Sequence, residues 1–378
     1  MPHLFATPAS LDQRSRRLLL LLGAAFFIGQ YDMTLLTLAL PDVQASFDIP
    51  EERLGQMIAF ARLGALPAVF LALMADRLGR RRLLVATMVG MAVFSLATAS
   101  ASSATSFVAF QACVRMFATL EEILAVIFAL ELLPARHRGW GVGFLAAMGG
   151  LGSGLGALLY GSVEQMPGGW RGLYVIGGLA ILYVAWLRRK LPESPMFEAQ
   201  AKSSPGSFFA PLKEILSGYR ADLLALVVIA GAFWFPVVAS LNFMSKYLQN
   251  VHGYSPGNVS ILFIAAGTLA IFGNVLAGRV SDRIGRRPTL AFGLVGNCLA
   301  FIAFYNSSGA WLPVFWIAAL FTFFVVEVIV NAISGELFPT SCRSTAASLR
   351  SILSILAGAL GLATESALYS VLGSHAAA

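Results

Sequence analysis

The sequence predicts an all-α membrane protein that consists of two related helical bundles. Of its 378 residues, 58% are hydrophobic and only 12% are charged, and the mean hydropathy is +0.77. A soluble domain carries roughly 25% charged residues, so this chain has about half of that share. Eleven apolar runs follow one another, and one short basic stretch occurs twice, 206 residues apart. A turn that recurs at this spacing indicates a duplicated bundle.

The apolar runs are numbered here as spans 1 to 11. Most have the roughly 20 residues that a helix needs to cross a bilayer. Span 1, with 23 residues, is too long for the core of a signal peptide. Span 6 is short, but Gly168-Gly169-Trp170 in front of it can extend it. The spans cover residues 18–40, 54–75, 83–101, 107–133, 139–163, 173–186, 221–248, 256–280, 289–308, 311–335 and 344–372.

Basic residues alternate along the loops and predict the orientation. Every second turn is basic, as at Arg80–Arg82, Arg188–Lys190 and Arg283–Arg287, which places those turns in the cytoplasm. The N-terminus is then cytoplasmic and, after eleven spans, the C-terminus is outside; the inner (plasma) membrane is expected. The net charge of +7 is spread over short turns and not over one face, so nucleic-acid binding is not expected. The predicted parts are an N-terminal tail 1–17, a six-helix bundle 18–190, a cytoplasmic linker 191–219 and a five-helix bundle 220–378.

The repeated basic stretch has the pattern Gly-x-x-x-Asp-Arg-x-Gly-Arg-Arg. The second copy matches throughout, and the first has Ala72 in place of the first glycine. This pattern resembles the signature loop of the major facilitator superfamily, between helices 2 and 3 and again between 8 and 9. The resemblance implies that Asp76 lies close to Arg80 and reaches the start of span 11 near Ser344, and that Asp282 reaches the start of span 5 near Gly139. The predicted gating residues are Asp76, Arg77, Gly79, Arg80, Gly278, Asp282, Arg283, Gly285 and Arg286.

A second repeat supports the duplication. Glu131-Leu132-Leu133-Pro134, followed by Arg138, recurs 205 residues later as Glu336-Leu337-Phe338-Pro339, followed by Arg343. The same offset would start a twelfth span near residue 375, so eleven spans are expected, six plus five. Whether a twelfth was lost naturally or by truncation is left open.

Other stretches suggest a branch of the family. Residues 170–174 (Trp-Arg-Gly-Leu-Tyr) and 191–195 (Leu-Pro-Glu-Ser-Pro) resemble the sugar-porter and metabolite:proton symporter branches. Span 7 lacks the glutamine-rich signature of sugar porters, and the glycine-rich span 5 lacks the Gly-Pro pair of drug:proton antiporters. The glycines of span 5 predict close helix packing, with bending during transport as the alternative.

Charged residues inside the spans are the candidate functional residues, because a charge in a bilayer is costly and usually faces an interior. Asp32 in span 1 and Arg62 in span 2 both lie about 12 Å below the outer edge by helical rise. They could form an ion pair, either purely structural or part of a gate.

Span 4 carries a polar stripe at helical spacing, and the resemblance implies that spans 1, 4, 7 and 10 line a central cavity. Glu122 and Glu327 are related by the 205-residue offset, so they are predicted to face each other there, and one of them to carry a coupling proton. The alternative is that each is paired within its own half, as Glu122 with Arg115. Glu121 could point to a neighbouring helix, and Lys246 is expected to reach the surface. The predicted pathway residues are Asp32, Arg62, Gln111, Arg115, Glu121, Glu122, Trp234, Asn242, Glu327 and Asn331.

These residues predict a secondary active transporter of a small metabolite, with rocker-switch alternating access and proton coupling. Arg62 and Arg115 favour an anionic substrate. An efflux antiporter is the alternative within transport, and a non-transporting sensor or degenerate remnant is the alternative outside it. No phosphate-binding Gly-Lys loop and no nucleophile–base set is visible in the sequence, so enzyme activity, a cofactor and a metal are not expected. The expected partners are a small-molecule substrate, protons and the lipid bilayer, and the expected state is a monomer.

Overall fold

A computed structural model describes residues 13–73, 80–134, 137–189, 210–339, 342–375 and 377. Every regular element within these residues is helical, and they contain nine helical stretches long and apolar enough to cross a membrane, one of which, Glu51–Ala72, comprises two helices. The helices are α1 Gln13–Leu38, α2 Leu40–Phe47, α3 Glu51–Leu63, α4 Leu66–Leu73, α5 Arg80–Ala99, α6 Ala104–Leu132, α7 Arg138–Tyr160, α8 Trp170–Arg188, α9 Ala210–Gly218, α10 Arg220–Lys246, α11 Pro256–Ile284, α12 Arg286–Tyr305, α13 Trp311–Glu336 and α14 Arg343–Leu372.

All eleven predicted spans coincide with helices. Span 2 is divided into α3 and α4 next to Pro67, where proline lacks the N–H that would continue the helical ladder. Span 6 begins at Trp170, directly after Gly168 and Gly169, whose φ angles are +80° and +58°. This helix also runs on to Arg188, which the sequence placed in a cytoplasmic turn. Most of the linker, residues 190–209, lies outside the described residues, and its end forms α9.

The helix bounds repeat as the sequence motifs do. Arg138 begins α7 and Arg343 begins α14, 205 residues later. Helices α5 and α12 both have 20 residues. Between α11 and α12 the chain turns at Gly285 alone, with φ +97°, a conformation that disfavours any side chain. The glycine of the repeated motif therefore permits this sharp turn.

Contacts divide the chain into two units. Unit 1 comprises residues 1–39 and 64–205. In it α1 packs on α7 and α8, α5 packs on α6 and α8, and α4 packs on α6. Its buried core includes Leu22, Leu124, Phe128 and Leu145. Helices α1 and α7 approach closely where Gly152 faces the Phe27 backbone with no room for a side chain.

Unit 2 comprises residues 40–63 and 206–378. In it α14 packs on α10 and α3, and α13 packs on α11 and α12. Gly361 lies against the Phe235 backbone of α10, and Gly55 of α3 lies against the Leu362 carbonyl of α14. Segment 40–63 thus belongs by its contacts to the second unit, whereas the sequence assigned it to the first bundle. The predicted domain boundaries remain a prediction.

Candidate functional site

Unit 1 buries a carboxylate in its interior. Asp32 of α1 is fully buried. Its Oδ1 accepts a hydrogen bond of 2.5 Å from the Ser95 hydroxyl of α5. Its Oδ2 has no hydrogen-bond partner among the described residues. A buried carboxylate oxygen without a partner is costly, and binding a proton relieves that cost.

Arg115 of α6 provides a cation close to this carboxylate. Its guanidinium interacts electrostatically with Asp32, with Tyr174 of α8 and with Glu122. The Tyr174 hydroxyl is buried without a hydrogen-bond partner among the described residues. We refer to Asp32, Ser95, Arg115 and Tyr174 as the Asp32 cluster. It combines a site for a proton with a cation that can bind an anion.

Two other polar residues of α6 hold helices together. The Gln111 side chain donates to the Thr98 hydroxyl at 3.1 Å. Glu121 is buried, forms an ion pair with Arg188 and accepts a hydrogen bond of 2.8 Å from Thr87. Arg188 is fully buried and donates to two backbone carbonyls of α1 as well, those of Leu21 and Leu22. These acceptors satisfy the charge of Arg188 inside the unit, and its predicted position on the cytoplasmic side stays a prediction.

The other predicted charged groups of α3 and α6 each interact within their own unit, as Glu122 does with Arg115. Glu122 is exposed, and Arg62 donates to the Ser354 carbonyl of α14 at 3.3 Å, within unit 2. Asp32 and Arg62 belong to different units, as do Glu122 and Glu327. The ion pair and the facing glutamates therefore stay predictions.

Unit 2 has an aromatic group on α10 and α13. The Trp234 ring lies 6.0 Å from Phe323 and 4.9 Å from Phe233, between ring centroids. Its indole N–H is buried without a partner among the described residues. Glu327 and Asn331 follow Phe323 at intervals of four and share its side of α13. Asn242, by contrast, donates to the Val238 carbonyl of its own helix at 2.8 Å.

The second signature loop forms a network of charges in unit 2. Arg286 is 2.7 Å from Asp282 and 3.1 Å from Glu336, and it also donates to Ser281. The motif aspartate is thus paired with the motif arginine, as the resemblance implied for Asp76 and Arg80. Asp76, Arg77 and Gly79 lie outside the described residues, and so does the side chain of Arg80. The predicted contact of Asp282 with the start of α7 would join the two units and remains a prediction.

A third charged group was missed by the sequence analysis. Glu51, Lys246, Glu365 and His375 come together at one end of unit 2. Lys246 is 2% exposed, so the expectation that it reaches the surface was wrong. No local pattern could have indicated this group, because its members are 10 to 324 residues apart along the chain.

The fold and these intramembrane charges define a multi-pass transporter of duplicated helical bundles. The family model of the Major Facilitator Superfamily matches residues 22–362, so the chain belongs to this family of transporters and is not an enzyme. The relatives include the cis,cis-muconate transport protein of Acinetobacter baylyi, 27% identical over 85% of this chain and 80% of the relative. They also include the 3-(3-hydroxy-phenyl)propionate transporter of Escherichia coli, 26% identical over 78% of this chain and 72% of the relative.

Solved structures show the same fold. A bacterial homolog of the human lysosomal transporter Spinster, in an inward-facing and unoccupied conformation, aligns with a TM-score of 0.81, covering 96% of this chain and 84% of that chain at 19% identity. The inward-open xylose transporter XylE of E. coli aligns with a TM-score of 0.74, covering 93% and 89%, at 18% identity. At such identities the similarity concerns the fold alone.

Proposed function

We propose that this protein is a proton-coupled importer of a small organic acid. The observation that carries the proposal is the Asp32 cluster, in which a fully buried carboxylate with one unpaired oxygen interacts electrostatically with the half-buried Arg115 guanidinium. Asp32 is proposed to carry the proton and Arg115 to bind the carboxylate of the substrate. The protein works by alternating access of the two bundles.

The chemistry of the cluster suggests how the two solutes are coupled. While Asp32 is charged, its attraction for Arg115 competes with a substrate anion. Protonation removes that negative charge and leaves Arg115 as an unbalanced cation, which then favours a carboxylate. Loss of the proton restores the Asp32–Arg115 attraction and weakens substrate binding. Proton and anion thus bind together and leave together.

A further observation supports a carboxylate as substrate. The two relatives described above are named as transporters of carboxylates, muconate and a phenylpropionate. We further propose that the protein is a monomer in the inner membrane, with its N-terminus in the cytoplasm.

Uptake into proteoliposomes under an imposed pH gradient tests this function. We expect cis,cis-muconate or 3-(3-hydroxyphenyl)propionate to accumulate when the outside is acidic, and an uncoupler to abolish the accumulation. An uncharged sugar serves as the control and should not accumulate. Accumulation driven by acid inside would favour the efflux antiporter instead. A non-transporting protein would move none of a panel of acids, amines and sugars under either gradient.

A further inference from the structure

Four charged side chains from separate segments meet at one end of unit 2, and we call them the terminal cluster. Glu51 is the first residue of α3, Lys246 is the last of α10, Glu365 lies in α14, and His375 follows α14. The Lys246 ammonium pairs with Glu51. His375 approaches both acids, with Nε2 3.1 Å from Glu51 and Nδ1 2.5 Å from Glu365. The cluster therefore joins three helices.

The geometry of His375 fits the imidazolium form. Both ring nitrogens face carboxylate oxygens, and only the doubly protonated ring can donate two hydrogen bonds. A neutral ring would turn a lone pair towards one of the two acids, which is repulsive. The ring is 10% exposed and stacks on Phe243 and Tyr369, with centroid distances of 4.5 and 4.4 Å. It cannot readily rotate away from its partners.

The same end of the unit is where α3 packs most closely on α14. Gly55 lies against the Leu362 carbonyl, and the Ser366 hydroxyl donates to the Glu52 carbonyl. These uncharged contacts do not respond to pH. Of the groups that link α3 to its neighbours here, His375 alone has an ordinary pKa near neutrality.

We propose that His375 is a pH-sensitive clasp that, when protonated, tightens the attachment of α3 to α14 and, when neutral, loosens it. The proposal does not depend on which solute the protein carries. In the predicted orientation this end of the helices faces the outside, so external acid favours the tighter attachment.

The electrostatic surroundings of His375 favour its protonated form. Burial lowers the pKa of His375, but the hydrogen bonds to Glu365 and Glu51 outweigh it and raise the pKa above its ordinary value of 6.5. Lys246 opposes the rise, and Tyr369 and Glu52 are the other titratable groups at this end. Because the pKa of His375 is raised, the stabilisation that protonated His375 gives to the α3–α14 contact is fully present below pH 6.5. It is lost as the pH rises through the raised pKa.

Spin labels on α3 and α14 measure the clasp directly. Gln56 and Ala367 are exposed and serve as labelling sites after conversion to cysteine. Cys113 and Cys298 are replaced by serine, and Cys342 is buried. Electron–electron double resonance from about pH 5 to about pH 9, where histidine titrates, should show a short distance in acid and a longer one in alkali. The ratio of the two populations should change by up to about tenfold per pH unit between the histidine pKa values of the two states.

His375→Gln should remove this pH dependence, while the control His137→Gln, in unit 1, should keep it. Glu365→Gln should move the transition to lower pH, because it removes a group that raises the histidine pKa. Histidine ring NMR on the wild-type protein, with His375 assigned by exclusion after His3, His137 and His252 are replaced one at a time, measures the titration without requiring the His375 variant to fold. A pH-independent distance, or a His375 ring that titrates below 6.5, would overturn the proposal.

Discussion

Arg188, the last residue of α8, is fully buried and forms an ion pair with Glu121 of α6. The pair also holds α5 through Thr87 and α1 through the Leu21 and Leu22 carbonyls. Thr87 precedes Ser95 of the Asp32 cluster by eight residues on α5, about 12 Å along the helix. Unit 1 therefore has two buried charged groups at different depths, one that ties its helices and one proposed for coupling.

Breaking the Arg188–Glu121 pair should destabilise unit 1. Removal of one partner from a buried pair typically costs about 3–5 kcal/mol, because the other charge stays buried. Arg188→Met and Glu121→Gln should each lower the thermal unfolding temperature of the purified protein strongly. The double variant Arg188→Met/Glu121→Leu should regain part of the loss, since no charge is left alone. Single variants as stable as wild type would contradict a tying role.

Asp32→Asn should uncouple transport from protons. An amide cannot take up or release a proton, so accumulation above equilibrium should disappear while exchange of labelled for unlabelled substrate continues. Ser95→Ala is the matched control, because it removes the 2.5 Å hydrogen bond but keeps the carboxyl, and it should still accumulate substrate. Glu122→Gln and Glu327→Gln test, in the same assay, the hypothesis that one of these glutamates carries the coupling proton. If one of them uncouples and Asp32→Asn does not, the proton site lies there.

Arg115→Gln should weaken binding of the substrate anion. The guanidinium supplies the positive charge of the Asp32 cluster, and a charged hydrogen bond contributes about 1.5–3 kcal/mol. We expect the KM for uptake to rise by about ten- to a hundredfold, and Arg115→Lys to keep part of the affinity. Gln111→Ala on the same helix is the control, because Gln111 is bonded to Thr98. An unchanged KM in Arg115→Gln would place the anion contact elsewhere.

Substitutions at two glycines of α7 test whether these residues serve close helix packing or helix bending. An alanine methyl at Gly152 would collide with the Phe27 backbone, whereas nothing lies within 4 Å of that position at Gly154. Gly152→Ala should therefore lower the unfolding temperature. Gly154→Ala should leave it unchanged or raise it, because alanine favours a helix by roughly 0.5–1 kcal/mol over glycine. If both variants fold normally but only transport slows, bending of α7 would be the reason for the glycines.

Substitution of Arg286 in the signature loop of unit 2 should lower the transport rate more than it weakens substrate binding. Arg286→Gln breaks the contacts to both Asp282 and Glu336, which lie at the turn between α11 and α12 and at the end of α13. We expect a several-fold lower rate of uptake with substrate affinity retained, measured by uptake and by equilibrium binding. Arg287→Gln, at the exposed neighbouring residue, is the control for loss of charge and should have little effect.

The sequence by itself determined the order and the helical type of the apolar segments. Hydropathy indicates which segments can be buried in a bilayer, and the two offsets of 206 and 205 residues indicate that the bundle is duplicated. Both are local or periodic properties, so α7 and α14 begin at the arginines that the repeat aligned. Glycine at residue 285 likewise determined a turn, since few other residues accept φ +97°.

Only the tertiary structure decided which charges meet. Arg188 looked like one more basic loop residue, and Lys246 looked like a residue that reaches the surface, yet each is buried against a carboxylate from a distant helix. No sequence pattern marked Ser95 or His375 as functional, because the role of a hydroxyl or an imidazole depends on the groups that face it. Helix rotation and packing set those partners over separations of 63 to 324 residues, and no local pattern in the chain encodes such pairings.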